Sequence, residues 1–258
     1  MRTIHLRLQY IGTQYSGWQR QKNSTSIQQL LENAVLRITG EDAVVHGAGR
    51  TDAGVHAFDQ HAMFRTSSNL TIERFATALN SQLPPDIRIF SALEENPTWH
   101  PRFTKHLKTY RYIIDTDTIV SPFWRPYVWQ LPLKPNLLLL NQLSEHIIGE
   151  HDFRAFCSSN SSVKNHNRVI EQSVWTQEGT RLIYMVKGNG FLYHMVRLLV
   201  GSYVEVLLNK KSEQEFLLLL NQPDQNKATL IAPSQGLCLY KIVYEDSSIS
   251  LDNSYKDV

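Results

Sequence analysis

Cysteine is scarce in this 258-residue sequence: only Cys157 and Cys238 occur, far apart. They make no disulfide framework and no cysteine-based zinc motif, and such sparse usage fits a reducing compartment. Long hydrophobic runs are missing as well. The leucine runs at 137–140 and 217–220 are short and flanked by polar residues, well below the ~20 residues that span a bilayer. The first six residues, MRTIHL, alternate rather than forming the apolar block of a signal peptide. No excess of one charge exists either: 26 Lys and Arg against 24 Asp and Glu give a formal net charge of +2, so the sum of charge alone indicates no polyanion partner. The ten histidines offer only the pairs His56/His61 and His146/His151, without a third ligand, so no metal is expected. Gly47-x-Gly49 lacks the third glycine and the following helix of a dinucleotide fingerprint, and no Walker-type loop is present. These absences leave a cytoplasmic globular protein with no membrane contact.

Hydrophobic residues make up 42% of the chain and charged residues 19%, enough apolar material for a core at this length. Ile4, Leu6, Leu8 and Tyr10 alternate with polar residues, which predicts a strand with one buried face. Ile27, Leu30, Leu31, Ala34, Val35 and Ile38 share a helical face, with Thr25 or Ser26 as cap and Gly40 as stop. Alternation resumes at Phe58, Gln60, Ala62 and Phe64, and a second helix opens at Thr71, carries Ile72, Phe75, Ala76, Leu79 and Leu83 and stops at Pro84-Pro85. Strands are expected over 87–93 and 109–115. Four prolines within 121–135 predict a stiff connection and a domain boundary. Beyond it we expect a helix over 136–148, strands over 168–177 and 181–187 turned at Gly179, a helix over 191–209, a shorter one to 221, and a last strand over 237–244. Strands and helices mix without strict βαβ alternation, so the fold class is α+β with largely antiparallel sheets. The expected architecture is two similar halves, 1–120 and 136–245, of RNA-recognition or ferredoxin-like type about a central cleft, with 246–258 as a fraying tail.

Two segments stand out chemically. Residues 47–57, GAGRTDAGVHA, are too glycine-rich for regular structure and lie between two strand-like runs. Asp52 at the tip of such a loop is either a nucleophile or general base, or a turn residue bonding its own backbone. Arg50 either stabilises the loop or grips a phosphate. From Trp99 to Ile114 there is no carboxylate, while Arg102, Lys105, Lys108 and Arg111 interleave with Trp99, Phe103, Tyr110 and Tyr112, which suggests a polyanion contact on one face. Arg197 sits among Met195, Val196, Leu198, Leu199 and Val200; a guanidinium in such company needs a partner.

GRTDAGVHA at 49–57 is a signature of the tRNA pseudouridine synthase A family, and the resemblance runs along nearly the whole chain. LQYIGTQYSGWQRQ at 8–21 resembles the opening of that family. Leu79-Asn80 with LPPDI at 83–87, KTYRY at 108–112, GEHDF at 149–153, NGFLYHMVR at 189–197, and Ala232-Pro233 with GLCL at 236–239 resemble its later elements in order. Two segments depart from the family pattern: DQHAMF at 59–64, where a GQVVHF-like strand is usual, and HPRFTK at 100–105, where it reads HARFSA. Both concern strand packing and a substrate-side loop rather than the acidic residue.

The resemblance implies isomerisation of uridine to pseudouridine in tRNA, at positions 38, 39 and 40 of the anticodon stem-loop, without a cofactor. It implies Asp52 as the catalytic carboxylate, Arg197 as its ion-pair partner, Tyr110 as the residue stacking on the target base, and a homodimer that shares each tRNA. Arg50 is a further substrate-binding candidate, and His56 reads as a structural hydrogen-bonder. Two other readings compete: a non-catalytic RNA-binding protein using Tyr110 and the basic stretch, and a hydrolase using Asp52 and His56.

Overall fold

The computed structural model describes residues 1–158 and 163–245. The tail expected to fray, 246–258, lies outside them. Among the described residues ten strands form a single sheet. In chain order they are β1 (Arg2–Tyr10), β2 (His46–Gly47), β3 (His56–Thr66), β4 (Ile87–Glu95), β5 (His106–Asp115), β6 (Trp129–Gln130), β7 (Gly149–Asp152), β8 (Asn167–Glu178), β9 (Arg181–Gly188) and β10 (Leu237–Tyr244). Among the described residues five α-helices accompany them: α1 (Ile27–Thr39), α2 (Ile72–Asn80), α3 (Leu137–Glu145), α4 (Met195–Leu207) and α5 (Glu213–Asn221). The sheet order is β4-β1-β3-β10-β5-β9-β8-β7, with β2 added to β3 and β6 to β5. Pairing is antiparallel except β3 with β10 and β5 with β6.

The class is α+β, as expected, but the sheets foreseen for two halves are joined. β10, from the C-terminal segment, lies between β3 and β5, and β5 pairs along eight residues with β9. Strand edges that each half would otherwise expose thus satisfy one another. The proline-rich connection is part of this junction: Trp129 and Gln130 pair with Ile114 and Asp115.

Local chemistry explains most element boundaries. Ser26 caps α1 by accepting from the Gln29 amide, and Gly40 closes it with φ of 75°. Ser212 and Glu215 form a reciprocal capping box on α5. α2 ends at Asn80, so Leu83 lies beyond it, although still buried. The helix expected from 191 begins only at Met195, because His194 has φ of 63°; a left-handed residue cannot be carried inside a right-handed helix.

The core is contiguous. Ile4, Leu6 and Leu8 are fully buried, and Phe64 meets Phe75 of α2 edge-to-face. In the other segment Tyr203 of α4 packs on Trp175, Tyr184 and Phe216. Asn141 of α3 bonds both the N–H and the C=O of Trp175. The second face of β1 is not the polar face its alternation suggests. Thr3 and His5 are buried, since Trp99 lies against His5 at 4.2 Å between ring centres and His61 bonds it at 2.7 Å. Residues distant in sequence cover that face, so periodicity within β1 could not reveal it.

Candidate active site

The segment between β2 and β3 is a tight loop embraced by the residues that follow β1. Trp18 donates its backbone N–H to Thr51 O, Gly54 donates to Tyr15 O, and Val55 closes a turn on Asp52 O. Gly54 has φ of 79°, which favours glycine. At Gly12 the approach is so close that a Cβ would lie 1.9 Å from Val55 O. The motifs at 8–21 and 49–57 are therefore one structural unit. Below the loop, Tyr10 Oη bonds Thr51 Oγ1 at 2.8 Å, and Gln60 Nε2 donates to Gly49 O at 2.9 Å. Lys108 Nζ donates to Ala48 O at 2.8 Å. Its burial, with Arg102 and Arg168 nearby, lowers this ammonium to about 8.

Asp52 is about one-fifth exposed at the loop tip. Arg197, in the first turn of α4, donates from Nη1 to Asp52 Oδ2 at 3.2 Å. The same guanidinium donates from Nε to Ala232 O at 2.7 Å, while the Arg197 carbonyl accepts from the Ala232 N–H. Tyr112 is fully buried and donates to Pro233 O. Ser234 lies where a Cβ on Gly54 would go. The segment at 232–234 thus touches the loop, the strand β5 and the guanidinium together. The ion pair expected between Asp52 and Arg197 is present in the structure, and 145 residues separate its members.

Tyr110 is 7% exposed and meets Phe191 edge-to-face. Burial, then the neighbouring Tyr10 and the charge of Asp52, raise its phenol well above its ordinary range. Arg50 is exposed, and its side chain makes no hydrogen bond or ion pair among the described residues. His56 accepts from the Gly12 N–H at Nδ1, which leaves Nε2 to donate to Pro126 O. Both nitrogens are committed to backbone, and burial lowers the ring below its ordinary range. His56 is a structural tie between three segments, which removes the Asp–His pair that a hydrolase reading needs.

His194 was not singled out from the sequence. Its Nε2 stands 3.5 Å from Asp52 Oδ2, and its Nδ1 is 2.8 Å from Ser158 Oγ. The available signal was its spacing: positions 194 and 197 differ by three, so at a helix start both can reach one point.

The basic stretch is divided rather than presented on one surface. Lys105 pairs with Glu245, Lys108 turns under the loop, and Arg111 stacks over Tyr240. Arg102 and Phe103 remain exposed. Among the described residues, no group of three or more His, Cys, Asp or Glu is placed to hold a metal ion, and no helix is long and apolar enough to cross a membrane.

A single carboxylate held by a guanidinium at a partly open loop is equipment for nucleophilic or acid–base chemistry. The sequence profile of one family, described as tRNA pseudouridine synthase, matches residues 8–104 and 143–245. A tRNA pseudouridine synthase A of Citrifermentans bemidjiense is 41% identical over 247 residues, covering 95% of this chain and 99% of the relative. Proteins of the same name from Thermoanaerobacter sp. (strain X514) and Clostridium acetobutylicum are each 38% identical over 244 residues, covering 95% of this chain and all of the relative. The chain belongs to the tRNA pseudouridine synthase family. It is accordingly an isomerase acting on uridine in tRNA.

Proposed function

We propose that this enzyme isomerises uridine to pseudouridine at positions 38, 39 and 40 of the tRNA anticodon stem-loop, with Asp52 as nucleophile or base. The reaction breaks the N1–C1′ glycosidic bond, forms a C5–C1′ bond, removes the proton from C5 and places one on N1. Atoms balance and nothing is oxidised, so the chemistry calls for no cofactor. The observation that carries the reading is the Asp52–Arg197 contact at a loop that carries the family signature. Asp52 belongs to the segment 1–120 and Arg197 to 136–245, which supports a site in a cleft between the two. Arg197 orients the carboxylate through its directed N–H contact. The ring of Tyr110 is the surface on which a splayed-out uracil stacks, as single-stranded bases do on aromatic side chains. Arg50 supplies a contact to the RNA. We further propose that the enzyme works in the cytoplasm as a homodimer, each tRNA touching both subunits.

The test is release of tritium from 5-labelled uridine in tRNA. The wild type releases it, and Asp52→Ala, folded and still binding tRNA, does not. Tritium release by that variant at a comparable rate would exclude Asp52 as the reacting group.

RNA affinity gives a second test, and the ion pairs decide which cations matter. Lys105 is paired with Glu245 at 2.8 Å, so its attraction for a polyanion is partly offset and Lys105→Ala should weaken binding only slightly. Among the described residues Arg102 has no carboxylate partner, and the Arg168 guanidinium bonds only the Asn165 and Asn167 carbonyls. Replacing both with alanine should weaken binding and reduce the salt slope, by about 0.7–0.9 for each phosphate that is no longer neutralised. Filter binding across a salt series reads this; an unchanged slope would remove both from the RNA face.

A further inference from the structure

Asp52 has two carboxylate oxygens, and the protein treats them differently. Arg197 Nη1 at 3.2 Å and His194 Nε2 at 3.5 Å both approach Oδ2. Oδ1 has no hydrogen bond or ion pair among the described residues. We propose that Asp52 reacts through Oδ1, and that His194 is a positioning residue which, as the neutral imidazole, fixes Oδ2 together with Arg197. This rests on Asp52 being the reacting carboxylate.

The geometry selects the tautomer. A lone pair on Nε2 facing a carboxylate oxygen would repel it, so Nε2 carries the hydrogen and Nδ1 accepts from the Ser158 hydroxyl at 2.8 Å. That arrangement needs a ring held in one orientation, and three features hold it. His194 is in the left-handed region, with φ of 63°, where a non-glycine residue persists only when its surroundings impose it. Tyr193 stacks on the ring at 3.8 Å between centres. Ser158 is itself fixed by its N–H donating to Tyr193 O.

Charge explains why the neutral ring is the working form. Asp52 and Arg197 together carry no net charge. When Oδ1 attacks carbon or takes a proton, the carboxylate loses its negative charge and the guanidinium is left uncompensated. A second cation on Oδ2 would make that step harder by the same electrostatics. The charged groups acting on His194 are Asp52 from the loop and Arg197 from its own helix. Burial lowers the ring below its ordinary range; Asp52 acts against this and Arg197 with it. The ring thus stays neutral to lower pH than an ordinary histidine.

The experiment compares His194→Gln and His194→Leu in single-turnover and steady-state assays with tRNA between pH 5.5 and 8, with near-ultraviolet circular dichroism to verify the fold at each pH. Glutamine can place an amide N–H where Nε2–H stands but cannot titrate. At pH 7.5 it should keep its rate within about threefold of wild type, whereas leucine should lose about tenfold or more in kcat with KM unchanged. Toward pH 5.5 the wild-type rate should fall more steeply than that of the glutamine variant. Ser158→Ala, which leaves the histidine in place, should lower kcat in the same direction and by less. Wild-type kcat in the leucine variant would overturn the proposal. So would a glutamine variant whose acid-side decline matches wild type. If Asp52→Asn turns over, the underlying reading fails instead; if it is inactive while the His194 variants behave as wild type, only the role of His194 fails.

Discussion

Arg197→Met should lose about 10²–10³ in kcat, the scale set by removing one preorganised charge-stabilising donor from a site, while the protein stays folded. The guanidinium makes two directed contacts at once, to Asp52 Oδ2 and to Ala232 O, which is the geometry of a group that orients the carboxylate. Methionine fills the same apolar surroundings of α4 without either contact. Stability should suffer less than rate, because Asp52 is about one-fifth exposed and water can reach it once its partner is gone. Removing a fully buried partner would instead cost about 3–5 kcal/mol. Arg197→Lys is the more informative variant. It preserves the charge but not the planar fork that serves two acceptors in fixed directions, so it too should lose most of the activity. Single-turnover kinetics beside a thermal melt separates the two effects. A lysine variant within about threefold of wild type would show that charge alone suffices, and that the second bond to Ala232 does no orienting.

Which features were legible in the sequence follows from how local their causes are. α1, with Ser26 before it and Gly40 after it, and β10, over 237–244, lie where capping and alternation put them. Features that depend on distant residues were not legible. The buried second face of β1 is made by Trp99 and His61, neither of which its own periodicity can report. The single sheet arises because β10 inserts between strands far earlier in the chain, a pairing no spacing rule announces. At the site the same division holds. Asp52 was conspicuous because glycines crowd its loop, and Arg197 because a guanidinium in an apolar helix demands a partner. His194 carried no such mark: its importance depends on a left-handed backbone and a serine 36 residues away. The basic stretch is less uniform than its sequence suggests. Its charges are adjacent in sequence, but strand alternation and the pairing of Lys105 with Glu245 send them to different surroundings.

Mild acid should destabilise the fold before its carboxylates begin to titrate. His5, His56, His106 and His194 all lie below the ordinary histidine value, burial being the first cause in each. Their roles in the structure explain why. His5 and His61 share one hydrogen bond under Trp99, and His56 ties the Gly12 N–H to Pro126 O. His106 lies within reach of the Lys108 charge. A lowered native value means that the unfolded chain, titrating near 6.5, takes up protons first as pH falls. The stability these groups contribute is present above about pH 6.5 and is lost as pH falls from there through the lowered native values. Asp59 behaves differently. Burial pushes its carboxyl up, but His61 at 3.3 Å, the Ile242 N–H and Arg7 outweigh this and hold it below the usual range. Its stabilisation is therefore present above the unfolded value near 3.9 and fails only in stronger acid. The thermal midpoint should fall by several degrees from pH 7.5 to 5.5, at roughly 2–4 °C for each kcal/mol lost in a chain of this length. It should fall again below about pH 4. Differential scanning calorimetry over that range reads both steps. His5→Gln should shrink the first and leave the second. A midpoint that is flat or rising between pH 7.5 and 5.5 would mean that the buried rings are already charged in the native protein.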